Sequence, residues 1–186
     1  EQAGQIDILI NNAGVFEPKP FAESPDADWD RFYQVIVRAE IRLARGFFPP
    51  MLQRNWGRVI FMSSESGIQI PEEMIHYGMT KAAEIALVNG LARLTRGTAV
   101  TVNAVLPGPT ASEGVTDFVG ALAATAKQSP AEFEKEFFRS MRPTSLLQRF
   151  ASVDEVAHTV TYLCSPLASA TNGAAVRVDG GVIRTT

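Results

Sequence analysis

The chain has very few cysteines and histidines, and it has no long apolar run. Its 186 residues include one cysteine and two histidines, so an internal disulfide is excluded, and we interpret Cys164 as a small buried hydrophobe. No cluster of His, Cys, Asp and Glu stands at ligand spacing, so we expect no metal site. No apolar run reaches the roughly 18 residues of a membrane span, and nothing resembles a signal peptide. These absences predict a cytoplasmic globular protein.

The charge balance also excludes two classes of partner. The chain has 17 Lys and Arg residues against 20 Asp and Glu residues, a net charge of -3. This mildly acidic balance argues against nucleic acid and against an anionic membrane surface as partners. With 46% hydrophobic and 20% charged residues, the composition is that of one ordinary globular domain, residues 1–186.

Short apolar runs alternate with longer helical patterns along the chain, which is typical of a parallel sheet with flanking helices. The runs predict four strands: Ile6–Ile10, Arg58–Met62, Ala99–Val105 and Ala174–Val178. Long helices are predicted from Asp28 to about Gln53 and from about Tyr77 to Arg96. Two further helices should begin at Ser129 and Ser152, because each serine is followed three residues later by a glutamate, as in a capping box. The predicted fold class is α/β.

A serine, a tyrosine and a lysine stand in a pattern that suits acid–base chemistry. Tyr77 and Lys81 are four residues apart, so on a helix they project from one face, where the cation would favour ionisation of the phenol. Ser64 follows the strand Arg58–Met62, at the carboxyl end where open α/β sheets place their sites. Tyrosine and lysine at this spacing also occur on many solvated helix faces. The position of Ser64 favours the catalytic interpretation.

Five segments in order resemble motifs of the short-chain dehydrogenase/reductase family. They are Asn11-Asn12-Ala13-Gly14, Ser63-Ser64-Glu65-Ser66-Gly67, Tyr77 to Lys81, Asn103-Ala104-Val105-Leu106-Pro107-Gly108 and Val178-Asp179-Gly180-Gly181. The resemblance covers nearly the whole chain. It implies a partial doubly wound, Rossmann-type parallel sheet and an NAD(P)-dependent oxidoreductase that interconverts an alcohol and a carbonyl.

The resemblance also implies roles for particular residues. Tyr77 would be the acid/base, Lys81 would tune it and bind the ribose hydroxyls, and Ser64 would orient the reacting oxygen. The implied cofactor-binding residues are Asn11, Asn12, Ala13, Gly14, Tyr77, Lys81, Pro107, Gly108, Thr110 and Ser112. The implied ligands are NAD or NADP and a small alcohol or ketone, and the implied assembly is a homo-oligomer, either a dimer or a tetramer.

Two features depart from the family pattern. No G-x-x-x-G-x-G or G-x-G-x-x-G pattern follows a strand in these 186 residues, so we expect the phosphate-binding half to be missing and dinucleotide affinity to be low. An inactive, truncated family member that acts only as an oligomerising or interaction module is therefore the alternative function. Ile36 stands where the family often has an asparagine, and we interpret it as a core residue.

Residues 110–147 resemble the segment that forms the family's lid over the substrate. Five apolar side chains there either line a pocket or form the inner side of two helices: Phe118, Phe133, Phe137, Phe138 and Met141. Glu65, next to Ser64, either faces the substrate pocket or is a simple loop carboxylate, and we favour the loop carboxylate. We expect His76 to lie on a different helix face from Tyr77, and His158 to lie at the surface or in an interface.

Overall fold

Among the residues that the structure describes, the sheet has four parallel strands. The computed structural model describes residues 4–125 and 127–185. The strands are Ile8–Asn11 (β1), Gly57–Met62 (β2), Val100–Pro107 (β3) and Ala175–Val178 (β4), and their spatial order is the same as their order in the chain. Every strand lies within two residues of its predicted bounds, so the α/β prediction with a parallel sheet is confirmed.

The two central strands are buried, whereas β1 is an edge of the described sheet. Ile60 of β2 pairs with Ile10 on one side and with Asn103 on the other. Nearly every residue of β2 and β3 is buried, as expected for parallel strands covered on both faces. In β1, Leu9 and Asn11 are buried, while Ile8 and Ile10 are 42% and 45% exposed.

The described residues form six α-helices, and five of them lie in the four helices that the sequence predicts, with one interruption. They are Asp26–Phe32 (α1), Ala39–Gln53 (α2), Ile75–Arg93 (α3), Glu113–Thr125 (α4), Pro130–Ser140 (α5) and Val153–Cys164 (α6). A π-helical stretch, Tyr33–Arg38, separates α1 from α2 within the single predicted helix. The predicted capping boxes at Ser129 and Ser152 are both present and begin α5 and α6.

Helices cover both faces of the sheet, because alternate strand residues point in opposite directions. Val59 and Phe61 pack in one core cluster with Phe48 and Met51 of α2 and Val88 of α3. Ile60, which points the other way, packs with Val156 and Leu163 of α6 in a second cluster. Cys164, predicted to be buried, is half-buried at the edge of that cluster and has a free thiol, whereas His158 is exposed, as the sequence predicts.

Ile36 is a fully buried core residue, which confirms its interpretation. It lies in the π-helical stretch and packs with Phe32 and Val37, and Tyr77 and Ala83 of α3 pack against the same small cluster. Within residues 4–125 and 127–185, no helix is long and apolar enough to cross a membrane.

Candidate active site

The sequence-predicted site residues collect at the carboxyl edge of the sheet. Asn11 ends β1, Pro107 ends β3, and Ser64 lies two residues after the end of β2. At the fourth strand, Asp179 follows β4, and the amide of Gly108 donates to the carbonyl of Val178. Four parallel strands therefore bring segments distant in the chain to one edge, as open α/β sheets do at their binding sites.

Ser64 begins a 3₁₀ turn, Glu65–Gly67, that lies against α3. Its Oγ accepts a hydrogen bond from the amide of Ser66 at 3.1 Å, which caps the turn. The preceding Ser63 donates from its hydroxyl to the carbonyl of Lys81 at 2.8 Å, and Lys81 Nζ donates to the carbonyl of Met62 at 2.7 Å. Reciprocal hydrogen bonds thus fix the end of β2 beside the helix that carries Tyr77 and Lys81.

Glycine allows this close approach of the serine turn to α3. A Cβ on Gly67 would lie 2.8 Å from the carbonyl carbon of Lys81, and a Cβ on Gly78 would lie 2.6 Å from Cγ2 of Ile70. Neither distance leaves room for a methyl group, and in the case of Gly67 the obstacle is backbone. The small residues in the two motifs therefore have a packing reason in addition to any catalytic one.

Replacing Gly67 with alanine should destabilise the protein. The new methyl group meets the Lys81 backbone, so the turn or α3 must shift, at a cost of about 1–3 kcal/mol. Gly90→Ala is the matched control, because Gly90 is exposed in the same helix with no atom within 4 Å of its Cβ position, and alanine there should stabilise by up to about 1 kcal/mol. Urea unfolding measures the change in the free energy of unfolding for both variants. Equal stability of the two variants would contradict the close contact.

Tyr77 is half-buried, and its hydroxyl meets Ser64. Burial is the largest influence and raises the pKa of the Tyr77 phenol above its ordinary value, and the nearby carboxylates of Glu65 and Glu84 raise it further. A side-chain hydrogen bond with Ser64 and the positive charge of Arg142 act in the opposite direction. The structure thus brings Tyr77 and Ser64 together, but the phenol stays protonated at neutral pH.

Lys81 is buried and paired with a carboxylate. Its ammonium lies 3.0 Å from Oε1 and 3.3 Å from Oε2 of Glu84, and 5.7 Å from the ring centroid of Tyr77. From the sequence we expected this cation to favour ionisation of the phenol. The pKa of Tyr77 is raised instead, because burial dominates and Glu84 balances the charge of Lys81.

A second buried carboxyl group, that of Glu40, lies next to Glu84. Burial, followed by the neighbouring Glu84 charge, raises the pKa of Glu40 to about 9, and burial also raises the pKa of Glu84 while Lys81 lowers it. Neither oxygen of Glu40 makes a hydrogen bond of good geometry with the described residues. The sequence analysis missed both glutamates. The spacing of Ile36, Glu40 and Ala44 places Glu40 on the buried stripe of its helix and could have located it.

Glu65 is buried and ion-paired, so its interpretation as a simple loop carboxylate is wrong. Oε1 accepts from Arg142 Nε at 3.1 Å, while Oε2 accepts from the Ser64 hydroxyl at 2.5 Å and from the amide of Ser66 at 2.6 Å. Arg142 also lies 3.2 Å from Oε1 of Glu73. Nothing in the spacing of Arg142, 77 residues after Glu65, signals this contact in the sequence.

Several residues at the carboxyl edge could hold a cofactor. Asn11 is buried, and neither its amide nitrogen nor its amide oxygen has a partner among the described residues. Asn12, Ala13 and Gly14 form an exposed loop after β1. After β3, the Thr110 hydroxyl donates to the carbonyl of Gly108 at 2.9 Å, so it is directed back into its own loop. Ser112 immediately precedes α4.

The segment 110–147 contains α4, α5 and the connection to the next turn. The rings of Phe137, Phe138 and Phe150 lie 5.1–5.2 Å apart and pack on one another, so Phe137 and Phe138 belong to the inner side of α5. Phe133 is half-buried, whereas Met141 is 42% exposed beside Arg142. The side chain of Phe118 lies outside the described part of the structure.

His76 is buried although it neighbours Tyr77. Its ring packs 4.1 Å from that of Phe32, and burial lowers the pKa of the imidazole. Among the residues that the structure describes, no group of three His, Cys, Asp or Glu side chains could hold a metal ion.

Comparisons with known proteins agree over nearly all of this chain. Residues 1–183 match a protein-family model described as Enoyl-(Acyl carrier protein) reductase. The chain is 48% identical over 183 residues to the uncharacterized oxidoreductase YvrD of Bacillus subtilis (strain 168), and the alignment covers 98% of this chain and 70% of YvrD.

Solved structures have the same arrangement. L-sorbose reductase from Gluconobacter frateurii, complexed with NADPH and L-sorbose, is 29% identical with a TM-score of 0.91, and the match covers 100% of this chain and 69% of the reductase. A short chain dehydrogenase/reductase family protein is 28% identical with a TM-score of 0.82, over 97% of this chain and 68% of that one. In each comparison the similarity includes the strands and helices that form the carboxyl edge of the sheet.

Proposed function

Because the chain belongs to the short-chain dehydrogenase/reductase family of oxidoreductases, we propose that it interconverts an alcohol and a carbonyl compound with NAD(P) as cofactor. The observation that carries the proposal is that Ser64, at the carboxyl end of β2, lies against the helix α3 on which Tyr77 and Lys81 stand one helical turn apart. Ser64, Tyr77 and Lys81 are the proposed catalytic residues.

The residues at this edge fit a dinucleotide. The unpartnered amide of the buried Asn11 offers a donor and an acceptor that a ligand would satisfy, and a Cβ on Gly14 would meet no atom within 4 Å, so the loop is open to a ligand. We assign cofactor binding to Asn11–Gly14, to Tyr77 and Lys81, and to the segment with Pro107, Gly108, Thr110 and Ser112. When bound, the nicotinamide supplies or accepts the hydride. The NADPH complex of L-sorbose reductase supports NADPH as the first nucleotide to test.

Tyr77 would act as the acid in the reduction direction. Its raised pKa keeps the phenol protonated, so it can give a proton to the carbonyl oxygen as the carbinol forms. Ser64 donates its one hydroxyl proton to Glu65 in this structure, so to hold that oxygen beside the phenol its hydroxyl would turn from Glu65 to the substrate. Lys81 would hold the cofactor ribose, and its charge would also stabilise the phenolate that remains after proton transfer.

A small alcohol or ketone is the proposed substrate class. Near the site, one cleft is lined by three apolar residues, of which Ile70 and Met141 are about half exposed, and by five polar ones: Gln69, Glu72, Glu73, Ser140 and Arg142. Residues 110–147, which include Met141 and Arg142, would form the lid over this cleft. Exposed apolar side chains at a cleft mouth are a common feature of ligand sites.

The two reaction directions should respond differently to pH. Reduction uses the protonated phenol of Tyr77. Because this phenol does not titrate between pH 6 and 9, it should not lower the reduction rate over that range. Oxidation needs the phenolate, whose fraction rises about tenfold per pH unit below the pKa, so the oxidation rate should climb throughout that range. Initial rates at saturating nucleotide measure both profiles. A bell-shaped oxidation profile with a maximum near pH 7 would contradict a raised Tyr77 pKa.

The proposal itself is tested by nucleotide binding and turnover of the full-length gene product. Calorimetry with NADPH and NADH, followed by absorbance of the reduced nicotinamide with a panel of small ketones and aldehydes, should give binding and substrate-dependent oxidation. The alternative is an interaction module. It would be favoured by a folded protein that binds neither NADPH nor NADH and that oxidises neither nucleotide in the presence of any carbonyl compound tested.

We also propose that the protein forms a homo-oligomer. A surface cleft lies between α2 and α3, and its lining is mostly apolar: Ile41, Ala44, Arg45, Phe48, Pro49, Leu87 and Leu91. A second copy would remove such a surface from water. Light scattering coupled to size exclusion would give the dimer or tetramer mass.

A further inference from the structure

Arg142 lies between two carboxylates, one in the turn that Ser64 begins and one in the turn that leads into the helix of Tyr77. Its Nε donates to Oε1 of Glu65 at 3.1 Å, and its Nη1 donates to Oε1 of Glu73 at 3.2 Å. Glu65 directly follows Ser64, and Glu73 lies in the 3₁₀ turn Glu72–Met74 that leads into α3, four residues before Tyr77. One guanidinium therefore connects the serine turn to the start of the tyrosine helix.

This connection is largely removed from water. Arg142 is 8% exposed and Glu65 is 4% exposed, and the side chain of Glu73 is 28% exposed. Removing one member of a buried ion pair leaves its partner without compensation, so the cost is far greater than for a surface pair. The planar guanidinium also holds its acceptors in fixed directions, which an ammonium does not.

Glu65 connects Arg142 to the proposed catalytic serine, because its carboxylate forms hydrogen bonds with both side chains. While Oε1 faces Arg142, Oε2 accepts hydrogen bonds from the Ser64 hydroxyl at 2.5 Å and from the Ser66 hydroxyl at 2.9 Å. Ser64 has one hydroxyl proton, and it uses this proton to donate a hydrogen bond to Glu65. The position of the Glu65 carboxylate therefore sets the direction in which the remaining lone pair of the Ser64 oxygen faces Tyr77. A movement of Glu65 would therefore turn the Ser64 hydroxyl.

Arg142 is itself fixed to the end of α5. Its Nη1 donates to the carbonyl of Met141 at 2.8 Å, and its guanidinium carbon lies 5.9 Å from the ring centroid of Phe137. The proposed lid, the serine turn and the tyrosine helix thus meet at one side chain.

From these contacts we infer that Arg142 is a positioning residue that sets the separation of the Ser64 and Tyr77 hydroxyls through Glu65 and Glu73. It acts through the two carboxylates, and its catalytic consequence rests on the proposed function. The serine turn and the start of α3 have no other charged bridge to the end of α5 among the described ion pairs. Removing Arg142 should let the two turns move apart.

The first measurement does not need activity. Three tyrosines give three ¹⁹F signals in protein labelled with 3-fluorotyrosine, and Tyr77→Phe identifies the signal of Tyr77. Arg142→Met should shift or broaden that signal, and Glu73→Gln, which removes one arm of the bridge, should do so to a smaller extent. Arg149→Met is the matched control, because it breaks the exposed pair that Arg149 makes with Glu155 of α6 at 2.8 Å and should leave the Tyr77 signal in place.

The second measurement is turnover of the same variants in the full-length gene product. Arg142→Met should lower kcat by about 10- to 100-fold, the loss expected when reacting groups are misplaced by roughly 1 Å, while the KM for nucleotide stays near the parental value. Arg142→Lys keeps the charge without the planar fork, so it should recover part of kcat. A purely structural role predicts instead a lower melting temperature with kcat preserved in the folded fraction.

The outcomes separate the two proposals. A Tyr77 signal that moves in Arg142→Met, in a parental protein that transfers no hydride, would support the positioning role and overturn the proposed function. An unchanged Tyr77 signal and parental kcat in Arg142→Met would overturn the positioning role and leave the proposed function intact. If Arg142→Met does not fold, Glu73→Gln decides, since unchanged signal and kcat in that variant contradict the bridge.

Discussion

Tyr77→Phe should reduce turnover by about 10²- to 10⁴-fold, the contribution typical of a positioned acid/base. The substitution removes the hydroxyl that meets Ser64 and keeps the ring, which packs against the cluster containing Phe32 and Ile36. The fold and the nucleotide affinity should therefore survive. Steady-state rates in both directions, nucleotide calorimetry and a melting curve give the three readouts.

The matched control for this variant is Tyr162→Phe. Tyr162 lies on α6 with about half of its side chain exposed, far along the chain from the serine turn, so loss of its hydroxyl should leave turnover at the parental level. A Tyr77→Phe protein that turns over at the parental rate would end the assignment of Tyr77 as the acid. A variant that has lost nucleotide binding together with turnover would show that the ring, and not only the hydroxyl, is needed.

The second large effect concerns stability, and we expect Glu40→Met to stabilise the protein above neutral pH. In the folded protein, the pKa of Glu40 is raised from 4.5 to about 9. Between these two values the folded state holds a proton that the unfolded state has released, so the free energy of unfolding falls as pH rises, by up to about 1.4 kcal/mol per pH unit. Methionine has a similar volume and no charge to desolvate. At pH 8 the variant should be more stable by about 1–4 kcal/mol.

The sign of this effect distinguishes it from an ordinary ion pair. The contribution of Glu40 is most favourable below about pH 4.5 and is lost as pH rises toward about 9. Urea unfolding at a series of pH values between 5 and 9 should therefore show a falling curve for the parental protein and a flatter curve for Glu40→Met. Glu23→Gln, on the exposed turn Phe21–Glu23, is the control and should leave the slope unchanged. Parallel curves for parental and Glu40→Met proteins would refute the buried, protonated carboxyl.

The buried glutamates also bear on how Lys81 acts. With Glu40 protonated, the pair of carboxyl groups carries one negative charge, which balances the ammonium of Lys81. The sequence motif suggests a cation acting on a phenol. In the folded protein the cation is already paired, so its effect on Tyr77 is smaller than the motif implies, and burial controls the protonation state of Tyr77.

The sequence by itself determined the fold class and the strand positions, and it singled out Ser64, Tyr77 and Lys81 as the candidate catalytic residues. These features depend on local patterns: apolar runs of strand length, serine caps such as Ser129, and fixed spacings within one helix. The π-helical stretch at Tyr33–Arg38 has no comparable local signal, because the periodicity of its apolar residues continues that of the flanking helices.

Only the tertiary structure decided the electrostatics of the site. Glu65 and Arg142 are 77 residues apart, and Glu40 and Glu84 come from different helices, so no spacing rule connects them. A pKa depends on burial and on charges brought near by folding, and both are absent from a linear pattern. The sequence therefore identified which side chains could do the chemistry, whereas the packing of β2, α3 and the end of α5 set their protonation states and their positions.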